Sequence, residues 1–122
     1  MSALVPVAVA VAGGVGSAGR YLVDQAVTAR HSRRFPWGIV VVNLTGSFAL
    51  GLVVGLAARH LSDDVALVVG VGLLGGYTTF STATVDTVRL LSDRRHLTAG
   101  LHGLGVLAAC VGLAALGLAL TA

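Results

Sequence analysis

The segment Gly75-Gly76-Tyr77-Thr78-Thr79-Phe80-Ser81-Thr82 lies near the middle of the third long apolar stretch of this chain. The side chains of Thr78, Thr79, Ser81 and Thr82 crowd four hydroxyls into five residues, which is costly in a membrane helix unless something uses them. The Gly-Gly pair loosens the helix, so backbone carbonyls there can leave the ladder and face a ligand. Non-helical backbone at membrane depth is tolerated only where protein or a cavity surrounds it. Broken helices of this kind hold ions near the bilayer midplane in transport proteins. The chemistry expected here is ion coordination, with an ion pathway close by.

Asn43 is an amide within a second apolar span, in Val42-Asn43-Leu44-Thr45-Gly46-Ser47-Phe48. It serves either a helix–helix hydrogen bond or the wall of a pore. An anion pathway needs donors without full positive charge, because a fixed cation would hold the ion too tightly; amide and hydroxyl groups fit. Asp86 and Arg89 are three apart on the third span and read as a structural pair on one helix face. His31, His60, His96 and His102 are scattered without the spacing of a zinc site or a catalytic dyad, and no role is assigned to them. Cys110 reads as a small buried hydrophobe.

The elements that must position these residues follow from composition. The chain has 122 residues, 56% of them hydrophobic and 11% charged, with a mean hydropathy of +0.92. A soluble domain is about a quarter charged, so this is an all-α integral membrane protein with room for four spans of about 20 residues. The expected spans run from Ala3 to Val23, closed by Arg20, from Pro36 to Ala58, from Val65 to Leu91 and from Leu97 to Leu120. They form one domain over residues 1–122. No basic residue precedes the first apolar run, which argues against a cleaved signal peptide.

All eight basic residues are Arg. Arg30, Arg33, Arg34, Arg94 and Arg95 fall in the first and third loops, Arg59 alone in the second. The positive-inside rule puts the first and third loops in the cytoplasm and both termini outside. The basic pI therefore reports membrane orientation and not a nucleic-acid partner. Small residues recur at four-residue spacing in Ser47, Gly51 and Gly55, in Gly72 and Gly76, and in Ala108 and Gly112. They serve close helix packing within the chain or between subunits. Four short spans make a thin bundle, so a pore arises most easily between two subunits, which favours a dimer.

Gly14-Val15-Gly16-Ser17-Ala18-Gly19 matches G-x-G-x-x-G. A dinucleotide-binding turn is excluded by context: no acidic residue lies about twenty positions on, and a second apolar span follows instead of a βαβ unit. Helix-packing glycines account for the pattern, and no enzyme activity is expected.

Gly13-Gly14 through Arg20-Tyr21, Phe35-Pro36-Trp37-Gly38, the Asn43 motif and the Gly75–Thr82 motif, in this order and over essentially the whole chain, resemble the CrcB/Fluc fluoride channels. The resemblance implies an antiparallel dimer with the third helix broken near the midplane, two fluoride pathways, and a structural, untransported sodium ion. It would place the backbone carbonyls of Gly75 and Thr78 on sodium. It would line the fluoride pathway with Asn43, Phe80, Ser81 and Thr82, the Phe ring offering its positive edge. It further implies passive fluoride export across the cell membrane of a prokaryote.

The chain departs from the family's pattern. Ala83 stands where a second Phe is usual, and Leu104 and Ala108 align with a Tyr and a Ser. With the arginine bias, which disfavours insertion in both orientations, these departures point to a heterodimer with an oppositely oriented homologue rather than a homodimer. Two other classes stay open: a four-span proton-coupled exporter of small cations, which would have to use Asp86 as its carboxylate, and a non-conducting partner subunit.

Overall fold

The computed structural model describes residues 2–122. Four helices among them are long and apolar enough to cross a membrane: α1 (Leu4–Thr28), α2 (Trp37–Ala57), α3 (Asp63–Ser92) and α4 (His96–Thr121). No strand occurs among the described residues. The chain is a multi-pass membrane protein.

Helix α1 runs five residues past its expected end. Arg20 does not close it, because the guanidinium turns inward and donates from Nη1 to the Thr78 carbonyl at 3.3 Å. Asp24 is accommodated as well, accepting from Thr28 Oγ1 at 3.3 Å while Gly38 leaves room beside its carboxylate. The last turns thus satisfy their own polar groups. Leu4, Val7, Val11, Val15 and Leu22 form an exposed stripe at helical spacing on α1, the apolar face suited to lipid.

Helix α2 is the central element. It carries the fully buried Val42 together with buried Ile39 and Val40, and it packs most extensively on α4. Glycine sets that approach: a Cβ at Gly51 would collide with the Ala114 carbonyl, and one at Gly117 with the backbone of α2 near Phe48. Thr121 Oγ1 donates across the same seam to the Leu52 carbonyl at 3.1 Å. The stripe containing Gly51 and Gly55 is therefore intrachain packing. Gly112, by contrast, meets nothing within 4 Å of where a side chain would begin.

Helix α3 starts with Ser62 accepting from the Val65 N–H at 3.3 Å and with Asp63 and Asp64 in its first turn, both favourable at a helix N-terminus. Its N-terminal arm, residues 63–77, includes a stretch of i→i+5 hydrogen bonding over Val68–Leu74. Its C-terminal arm is Phe80–Ser92. Between them Thr78 (φ −80°, ψ 158°) and Thr79 (φ −147°, ψ 123°) are extended. The interruption lets α3 change neighbours: the first arm packs on α1, the second on the start of α4.

The C-terminal arm ends in a tight reversal. The Arg95 N–H returns to the Leu90 carbonyl at 2.9 Å and the Arg94 N–H to Leu91 at 3.0 Å, with Arg94 left-handed at φ 58°. This is a Schellman cap with Arg where Gly is usual. Arg95 then bonds the carbonyl of Arg34, which places the first and third loops at the same end of the bundle.

Candidate functional site

The interruption in α3 frees backbone groups that an unbroken helix would pair. The Thr79 N–H would reach back to the Gly75 carbonyl; instead it donates to Asn43 Oδ1 at 2.9 Å. Asn43 Nδ2 in turn donates to the Thr79 carbonyl at 2.9 Å. One side-chain amide thus satisfies both polar groups of one residue, as a neighbouring β-strand would. Of the two roles open to Asn43, the interhelical bond is present, and the residue also faces the adjacent groove.

Other donors close on the same turn. Ser17 Oγ donates to the Gly76 carbonyl at 3.2 Å, and Arg20 to Thr78 as described. Thr79 Oγ1 caps the second arm by accepting from the Thr82 N–H at 3.2 Å, and its hydroxyl lies 3.3 Å from those of both Ser81 and Thr82. Tyr77 OH lies 2.9 Å from Thr45 Oγ1 on α2. The hydroxyl cluster legible in the sequence is in large part the hydrogen-bonding apparatus of the interruption.

The close approach of α1 is set by glycine. A Cβ at Gly76 would strike the backbone of Gly13, and one at Gly16 the Leu73 carbonyl. Gly16, the middle glycine of the G-x-G-x-x-G pattern, is thus a packing residue.

Two opposite polarities meet at Thr78–Thr79. The first arm presents carbonyl oxygens, the negative end of a helix, and the second presents N–H groups, the positive end. An apolar groove of about 500 Å³ opens beside them, walled by α2, both arms of α3 and the first half of α4. Asn43, Gly75, Thr78 and Phe80 all border it. Phe80 is 82% exposed, its ring standing free of its own chain. Ala83 and Leu104, two of the three side chains departing from the family pattern, border the groove too, and Ala108 lies outside its lining. Ser81 and Thr82 are exposed but lie outside this wall. Cys110 is half-buried on the groove, less enclosed than expected for a core residue.

A second cavity, about 580 Å³, lies at the end shared by the first and third loops, where Arg33, Arg34, Arg89 and Arg95 converge with Asp86 and Asp93. Asp86 and Arg89, read as a structural pair, are both part of this basic mouth.

Three polar relationships escaped the sequence: Asn43 with Thr79, Arg20 with Thr78, and Thr87 with His102. In the last, Thr87 Oγ1 lies 2.8 Å from His102 Nδ1. The one available signal was an ionisable residue inside the fourth span, which in a membrane helix warrants a functional role by default.

Comparison with known proteins agrees with this architecture. Residues 7–118 match the family model described as CrcB-like protein, Camphor Resistance (CrcB). A protein of Leifsonia xyli subsp. xyli named fluoride-specific ion channel FluC 1 is 45% identical over 119 residues, covering 97% of this chain and 87% of that protein. The fluoride-specific ion channel FluC of Geobacter sulfurreducens is 42% identical over 106 residues, 85% of this chain and 86% of its own length. Fluoride-specific ion channel FluC 2 of Mycobacterium tuberculosis is 48% identical over 87 residues, 71% of this chain and 67% of that protein. With its four apolar spans and a family match over nearly its whole length, the chain belongs to the CrcB family.

Proposed function

We propose that this chain is a subunit of a fluoride channel in a prokaryotic cell membrane, lowering cytoplasmic fluoride by passive export. The observation that carries the proposal is the interruption at Thr78–Thr79, braced by Asn43 and opening on a groove beside the free ring of Phe80. Fluoride is small and strongly hydrated, so a pathway must replace its water with donors that do not trap it. The second N–H of the Asn43 amide, the hydroxyls of Ser81 and Thr82 and the ring edge of Phe80 are donors of that kind. Outside acid forms HF, which crosses the bilayer and dissociates inside; a potential negative inside then drives the anion out.

The groove is open along one side of a thin bundle, which supports a dimer in which a second subunit completes the wall. The freed carbonyl of Gly75 and that of Thr78 suit a hard cation held by uncharged oxygens. Thr78 retains a lone pair beside its bond to Arg20, since a carbonyl oxygen accepts two. These residues would hold a structural sodium ion, whose charge would tie two antiparallel subunits together.

A heterodimer accounts best for Ala83 and Leu104 on the groove wall and for the one-sided arginines, because the partner would supply the missing ring and polar groups. Fluoride efflux from liposomes holding this chain alone, then with its closest encoded homologue, tests both levels. Flux only from the pair establishes the heterodimer. Flux from the chain alone shows a self-sufficient channel and refutes the pairing. No flux from either refutes the channel.

A further inference from the structure

His102 is the one imidazole among the described residues in the wall of the groove. It is 2% exposed, lies within an apolar span and has no part in the interruption of α3. Its ring is held on two sides. Nδ1 lies 2.8 Å from Thr87 Oγ1, and the Phe35 ring meets it edge-on at 5.5 Å and 81°. Gly103 allows this approach, since a Cβ there would already press on the Thr87 side chain at 3.2 Å.

One tautomer of the neutral ring satisfies both contacts of the Thr87 hydroxyl. With Thr87 Oγ1 donating to the Ala83 carbonyl at 2.9 Å, it accepts from the imidazole, and Nδ1 then carries the hydrogen of the neutral ring. Nε2 then holds a lone pair. No fully buried side-chain nitrogen or oxygen among the described residues lacks a partner, and Nε2 has none among them, so Nε2 is the ring nitrogen that keeps a small exposure. His102 borders the groove. Its partner Thr87 borders the same groove, and Asp86, the residue before Thr87 on α3, borders the basic mouth.

We propose that His102 is a proton-dependent anion contact on the wall of the groove. The neutral ring turns a lone pair toward the path and repels fluoride. Taking a proton from hydronium at Nε2, with water released, replaces that lone pair with a charged N–H, which holds the anion. Acid therefore tightens fluoride binding at this point and slows its passage, because a fixed cation in an anion path releases its ion slowly. This rests on the fluoride reading above and adds a residue to it.

The charges around the ring are few. On α3 Asp86 acts directly on His102, with Arg89 and, from α1, Asp24 acting on Asp86. In the first loop Arg34 precedes the covering Phe35, His96 lies on the same helix as His102, and α2 carries no ionisable residue. Asp86, His96 and His31, whose ring packs on Trp37 beside Phe35, are the competing explanations for a pH effect, and an enhancement that survives in the His102 variants belongs to them.

The test is fluoride affinity of the detergent-solubilised protein, by calorimetry with sodium fluoride, at about pH 4.5 and about pH 8, an interval wide enough to protonate a histidine whose charged form burial disfavours. Affinity is expected to rise about tenfold in acid, the scale of one opposite charge brought close. His102→Asn keeps a donor for Thr87 but cannot ionise, and its affinity should be equal at both pH values. His102→Gln serves if the Asn variant does not fold. Asp86→Asn should retain the acid enhancement. A wild-type affinity that ignores pH, or an enhancement that survives in the His102 variants, overturns the proposal. Fluoride efflux at neutral pH, from the chain alone and with its homologue, is scored separately: flux with a pH-independent affinity defeats the role of His102 alone, and absent flux from both preparations defeats the channel.

Discussion

Asn43 and Thr79 are joined by two hydrogen bonds of 2.9 Å, one from the side-chain amide to the Thr79 carbonyl and one returned by the Thr79 N–H. Thr79 is buried, so without Asn43 a peptide donor and acceptor would stand unpaired inside the membrane. An unpaired buried group costs about 1–3 kcal/mol. Asn43→Ala is therefore expected to destabilise the fold by about 2–4 kcal/mol and to abolish fluoride flux. Asn43→Asp keeps the acceptor, loses the donor and should be similarly harmful. Thermal unfolding in detergent, followed by circular dichroism, checks the first point; an unchanged midpoint for Asn43→Ala would show that the bracket contributes nothing.

Glycine contacts predict a contrast between two identical substitutions. Gly76→Ala forces a methyl into the backbone of Gly13 and must push α1 from the first arm of α3. A loss of about 1–3 kcal/mol is expected, the scale of overpacking a close contact. Gly112→Ala meets nothing in its own chain and should leave the subunit's stability unchanged or slightly raised through better helix propensity. Equal effects at the two positions would contradict the packing described here.

Phe80 separates function from stability. Its ring is largely free of its own chain, so Phe80→Ile should shift the unfolding midpoint of the isolated subunit very little. The same change removes the positive ring edge, and liposome efflux is expected to fall by about tenfold or more, the loss of one contact of about 1.4 kcal/mol. A variant with full flux would remove Phe80 from the pathway.

Sodium makes a prediction that does not depend on flux. If the Gly75 and Thr78 carbonyls hold the ion, exchanging sodium for a large organic cation should lower the thermal midpoint of the assembled protein. Restoring sodium to about a hundred times its dissociation constant should return about 2.7 kcal/mol. Indifference to sodium at every concentration would leave these carbonyls without a cation.

At Arg94 the left-handed φ of 58° sits in a Schellman cap that Gly fills without strain. Arg94→Gly should be neutral or stabilising by up to about 1 kcal/mol. The same change removes one charge from the basic end and should slightly weaken orientation bias, read by cysteine accessibility from the two sides.

The four helices, their approximate limits and a departure from the helical ladder within residues 75–82 were legible in the sequence. Hydrocarbon requires every spanning segment to pair its own backbone over a fixed thickness, and that demand is written in local composition. Gly-Gly followed by clustered hydroxyls likewise marks a segment that can leave the helical ladder. The end of α1 was misjudged because a charged residue looks like a boundary until its partner is known; the Thr78 carbonyl that receives Arg20 lies 58 positions away. The same limit hid the Asn43–Thr79 bracket and the Thr87–His102 contact. Each depends on how far one helix slides along another, and that register is set by glycines meeting backbone across helices, at Gly76 with Gly13 and at Gly51 with Ala114. Local sequence determined which residues could do ion chemistry; only the interhelical register decided which of them meet.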